Sequence, residues 1–270
     1  MQWELWSKQI DSIVRLELRR YLLGRRWIGI YLLVLAPIGL LTIRALAAPP
    51  RALNVSLQNL NLIYAGFFQA FMLRLAIVFS SMTIFSQMLR GEILEKTLHY
   101  YLLTPVRREV IAIGKYVAGL VAMVGLFVVC VTATYLLLFL PSRAASDFFT
   151  SGAGIPHLAR YLIVAILACI GYGAVFLLVG LYVKNPVGPA LAILAWETFN
   201  SVLPSMLQKV SVIHYLYNLC PVPLPKSPFA VMTAPTSPFI SIPGLLIFTA
   251  AILLLVSHKI RRTEITYSAD

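Results

Sequence analysis

With 270 residues, 60% of them hydrophobic and only 12% charged, the chain carries more apolar surface than a soluble fold of this size can bury. Its formal net charge of +12 is not gathered on one basic face or arm. The Lys and Arg residues sit at the ends of apolar runs, which excludes a nucleic-acid binder and points to membrane topology. Cys130, Cys169 and Cys220 lack CxxC spacing and a companion His cluster, so they indicate neither a disulfide framework nor a zinc site and read as buried apolar thiols.

The N-terminal stretch mixes charged and apolar residues ahead of the first long apolar run, unlike a cleavable signal. Within it, residues 10–26 place Ile10, Ile13, Val14, Leu18, Tyr21 and Leu22 on one helical face, with Arg15, Arg19 and Arg26 elsewhere. That spacing predicts a basic amphipathic helix along the inner leaflet; the same charges would also anchor the topology without one. Six apolar runs follow, at 27–47, 62–88, 110–140, 158–183, 187–207 and 242–257. A helix of about 20 apolar residues crosses the hydrocarbon, so the third run should tilt and the last is short. The fold expected is an all-α integral membrane protein, a single unit over residues 1–270 with six transmembrane helices. Lys and Arg flanking the runs number fifteen on one side and five on the other, which puts both termini in the cytoplasm.

The outer connections are short except for residues 208–241, which hold Pro221, Pro223, Pro225, Pro228, Pro235 and Pro238. Proline at that density forbids a long helix. The apolar, aromatic stretch at 210–219 predicts a short interfacial or re-entrant helix over the outer mouth.

Arg74 and Glu197 fall near the middle of the second and fifth runs, and a charge there is costly unless it is paired or hydrated. Two readings stand. Either Arg74 and Glu197 pair or line a polar path, supported by Asn200 one turn on, or each finds a separate structural partner. Arg44 and Lys115 lie near span ends, where they can snorkel without chemistry. Pro37, Gly39, Gly171, Gly173 and Pro189 read as kink or close-packing positions.

The inner connection between the second and third runs is the most informative segment. It opens with Glu92-Ile93-Leu94-Glu95-Lys96-Thr97-Leu98 and becomes amphipathic, with Leu98, Tyr101 and Leu102 at helical spacing. Pro105 closes it and Arg107 and Arg108 restart the chain. This stretch, the Leu102-Leu103-Thr104-Pro105-Val106-Arg107-Arg108 turn, Gly114-Lys115 and the six-run plan resemble the ABC-2 type permeases of bacterial ATP-binding-cassette transporters.

The resemblance implies a permease subunit of an ATP-driven exporter in the bacterial inner membrane, dimerising with a second permease subunit. It implies an N-terminal elbow helix and a cytoplasmic coupling helix at 91–103. Two copies of a separate ATPase, which binds the ATP and Mg²⁺, would dock there through Glu92, Glu95, Lys96, Thr97, Leu98, Tyr101, Pro105, Arg107 and Arg108. Spans 1, 2 and 5 would line the path, with 208–241 as an outer lid. The chain itself has no GxxxxGK[ST] loop, no HExxH helix and no second deep carboxylate beside Glu197, so no cofactor or catalytic site is expected in it. A membrane anchor that transports nothing is the alternative.

Overall fold

The computed structural model describes residues 9–18, 28–47, 55–94, 108–142, 145–150, 152–183, 185–200, 203–223 and 237–262, and every element among them is helical. Helix α1 covers residues 9–18, and α2 runs from Ile28–Ala47. A single continuous rod follows, built from α3 (Leu57–Phe67), a ten-residue π-helical stretch (Phe68–Ile77) and α4 (Val78–Leu94). Ser56 starts this rod by accepting the Asn59 amide, five residues before the expected boundary. Then come α5 (Arg108–Phe139), α6 (Ala145–Thr150) and α7 (Gly154–Tyr182). The last four are α8 (Val187–Phe199), α9 (Ser205–Gln208), α10 (Val212–Tyr217) and α11 (Pro238–Arg262).

Among the described residues, five helices are long and apolar enough to cross a membrane, at Ile28–Ala47, Leu57–Met88, Val110–Phe139, Gly154–Tyr182 and Pro238–Ile260. Their outer surface is itself apolar, as on α2, where Leu32 is 67% and Leu46 84% exposed. Lipid, not water, is the solvent that tolerates such a surface. The run expected at 187–207 does not form one span. α8 stops at Phe199 after 13 residues, about 20 Å of rise against the roughly 30 Å required. Pro204 cannot sit inside a continuing helix; its own backbone is extended (ψ 148°) and it caps α9 instead.

The direction of each helix follows from which ends meet. Gly119 of α5 lies against Met88, Phe85 and Ile84 of α4, while at the far end Tyr64 Oη donates to Val131 O at 3.2 Å. These two helices are therefore antiparallel. α7 runs with the α3–α4 rod, because Tyr161 stacks edge-on against Phe68 with centroids 4.7 Å apart and Gly180 abuts Ser86. The second contact is so close that a Cβ at residue 180 would lie 2.7 Å from the Ser86 carbonyl oxygen, which makes glycine a requirement of this crossing.

α11 is parallel to α7, with Leu245 beside Gly171 and Lys259 Nζ 5.0 Å from the Tyr182 ring centroid. Between residues 182 and 238 the chain must therefore travel back along the bundle. α8 makes the first half of that return. It ends where Glu197 meets residues 211–213, and Val212 in turn packs on Gly171 near the middle of α7. One consequence is that α1, at the foot of α5, and the last turns of α11 lie at the same end of the bundle.

At the other end, Tyr64, Phe68, Tyr135, Phe139 and Tyr161 form a knot of edge-on and tilted rings. Tyr135 Oη donates to Gly154 O at 2.9 Å, so a polar tip buried in the knot is satisfied.

Candidate functional site

The two ionisable residues singled out at mid-depth converge on one region without pairing. Arg74 belongs to the π-helical stretch, against which α8 packs. Its guanidinium lies over the Tyr217 ring, 5.5 Å from the centroid, and its Nε is buried without a hydrogen-bond partner. Glu197, one turn from the end of α8, is 3% exposed. Its Oε2 accepts from Ser211 Oγ–H and from the Ile213 amide at 3.3 Å. Among the described residues no ion pair joins Arg74 to Glu197. The carboxylate acts as a clasp, tying the end of the half-helix to the turn that leads into α10.

Further polar groups surround the two charges. Tyr172 of α7 is fully buried beside Glu197, close enough to share a hydrogen bond with that carboxylate, and lies within reach of the Arg74 charge. Asn200 caps α8 and is 6% exposed, with Oδ1 unpartnered. Gln69, five residues before Arg74, donates from Nε2 to Val222 O at 3.2 Å, stapling the π-helical stretch to the chain beyond α10. Unsatisfied buried donors and acceptors are uncommon in folded proteins, and the two here, Arg74 Nε and Asn200 Oδ1, ask for a reason.

α10 falls inside the stretch where a short helix over the outer mouth was expected. Of the interfacial and re-entrant forms expected, its burial is that of the deeper one, with Val212, Ile213 and Leu216 buried and Val212 against Gly171.

No family model matches the chain. No curated protein is similar enough to it to count as a relative either.

The second site lies at the foot of the bundle. Lys115 was expected to snorkel to the surface; it does the opposite. Its side chain is fully buried, and Nζ donates to Glu17 Oε1 of α1 at 2.5 Å, where Glu17 is 1% exposed. Next to it, Ile13 packs so closely on Gly114 that a Cβ there would lie 3.2 Å from Ile13 Cγ2. α1 thus presses its Ile13–Glu17 face onto α5, while Leu16 beside that face is exposed. An ammonium and a carboxylate withdrawn together from solvent hold their geometry because separating them would leave the buried carboxylate uncompensated.

Of the residues expected to contact an ATPase, Glu95, Lys96, Thr97, Leu98, Tyr101, Pro105 and Arg107 lie outside the described residues, as do residues 19–26 of the expected elbow helix. Glu92 is carried on the last turn of α4 and Arg108 begins α5. Residues 91–94 continue α4, and the rest of the expected 91–103 segment lies outside the described residues. Sequence reasoning missed Glu17, Gln69, Tyr172, Ser211 and Tyr217. Only Glu17 carried a signal, because it lies four residues after Ile13 on an otherwise apolar face.

Proposed function

We propose that the chain is the membrane-spanning permease subunit of an ATP-driven exporter in a bacterial inner membrane. In this reading the chain crosses six times, the fifth crossing being a broken one that begins with α8. Both termini face the cytoplasm, α1 is the start of the elbow helix, and residues 91–107 dock on a separate ATPase that binds ATP and Mg²⁺. Two permease subunits and two ATPases form the working assembly.

The observation that carries the reading is the Glu17–Lys115 joint. It fastens the N-terminal helix to the foot of α5, the helix that begins directly after the docking segment, at the end of the bundle richest in Lys and Arg. A floor locked in this way passes a push on residues 91–107 into the spans instead of absorbing it. The buried polar cluster around Arg74 and Glu197 points the same way, since a passive anchor has no need of charges at mid-depth.

Capture of the tagged chain from its native membranes in mild detergent, followed by identification of the bound polypeptides, tests this. A stoichiometric nucleotide-binding subunit is expected. Recovery of the chain with other membrane proteins and no ATPase would favour the anchor instead.

A further inference from the structure

We propose that Arg74 receives the anionic head of an amphipathic ligand inside the bundle. The first ground is charge. A guanidinium at membrane depth costs at least a few kcal/mol unless something answers it, and among the described residues no carboxylate does. Glu197, the nearest acid by sequence reasoning, is held by Ser211 and the Ile213 amide. The Tyr217 ring supports the guanidinium from one side, but a cation–π contact contributes only about 0.5–2 kcal/mol. The buried Nε still lacks an acceptor.

The second ground is local structure. Arg74 stands in a π-helical stretch of ten residues, and π-helical turns gather at functional sites because they cost regular hydrogen bonding. The buried Tyr172 hydroxyl nearby is shared with Glu197, so the Arg74 guanidinium is the donor left for a phosphate or carboxylate head. Arg74 offers that head a planar fork of N–H groups, the geometry suited to bidentate oxyanion binding.

The third ground is access. Arg74 is half-buried, and Ala70 and Leu75 of the same stretch are exposed on the apolar surface. A ligand reaches the guanidinium past hydrocarbon-facing side chains, which suits a molecule with an apolar tail and excludes a free hydrated anion. The site deepens the permease reading only in making this ligand the transported one; binding itself needs no ATPase.

The test uses the purified full chain in a neutral detergent, titrated with dodecyl phosphate, dodecylphosphocholine or inorganic phosphate, while the unfolding midpoint is followed. Dodecyl phosphate is expected to raise the midpoint saturably. Arg74→Gln is expected to weaken its binding about tenfold or more, as loss of a charge-assisted contact does, and Gly125→Ala, whose added Cβ meets nothing within 4 Å, to retain it. Arg74→Lys keeps the charge without the fork and is expected to bind more weakly than the natural protein. This second variant decides the matter should Arg74→Gln fail to fold. An equal shift with dodecylphosphocholine, a full effect of inorganic phosphate alone, or unchanged binding in either Arg74 variant overturns the proposal. Binding without a captured ATPase would keep the site and sink the exporter reading; an ATPase without binding does the reverse.

Discussion

Removing one charge of the Glu17–Lys115 pair is expected to destabilise the protein far more than removing both. The two side chains are 1% and 0% exposed and meet at 2.5 Å, and Glu17 Oε2 has no second partner. Lys115→Met leaves that carboxylate buried with its ion-pair partner gone, and Glu17→Gln takes the Glu17 charge away from a buried ammonium. Each single variant should lose about 3–5 kcal/mol, the cost typical of an orphaned buried charge. The double variant Glu17→Leu/Lys115→Met places apolar groups in the same volume and should lose markedly less than either single one. Unfolding midpoints of the purified variants in one detergent complete a double-mutant cycle, from which a coupling of about 3 kcal/mol is expected. The cycle has a local readout as well. A cysteine at Ile13, packed against Gly114 in the intact protein, should react with a thiol reagent faster in the single variants than in the double one. Additive losses, with the double variant the least stable, would refute the buried joint.

Other substitutions probe the rest of the bundle. Glu197→Leu removes the acceptor of Ser211 Oγ and the Ile213 amide and should cost about 3 kcal/mol in unfolding free energy, whereas Glu197→Gln keeps an oxygen and should cost about 1 kcal/mol. Gly180→Ala brings a Cβ to 2.7 Å from the Ser86 carbonyl oxygen and should lower the unfolding midpoint, by about 1–3 kcal/mol in stability. Gly125→Ala, with nothing within 4 Å of its Cβ, is the control and should leave the midpoint unchanged or raise it by up to about 1 kcal/mol of helix propensity. Tyr64→Phe loses the hydroxyl that donates to Val131 O and should cost about 1 kcal/mol in the same assay.

Where the spans lie was legible in the sequence because length and apolarity alone decide what crosses hydrocarbon, as at Gly154–Tyr182 and Val110–Phe139. The break after Phe199 was not read, although Glu197, Thr198, Asn200, Ser201 and Pro204 crowd one short stretch. Average apolarity hides such a cluster; the turn forms because Glu197 needs donors, and these come from residues 211–213 after the chain reverses. The depth of Arg74 was readable from its position in the run, but its seat over Tyr217 was not, since 143 residues of chain separate the two. The π-helical stretch around Arg74 has no local sequence signature: Phe68–Ile77 reads as ordinary amphipathic helix. At Lys115 the snorkelling rule failed because it assumes an exposed helix foot, and α1 covers this one.

The side of the membrane on which residues 91–107 emerge decides whether a soluble motor can reach them. A Thr97→Cys variant lacking Cys220, treated with a membrane-impermeant maleimide, reads that side directly. Labelling in inside-out vesicles and none in intact cells is the expected result. Labelling of intact cells would contradict a cytoplasmic docking segment, and with it the ATP-driven permease.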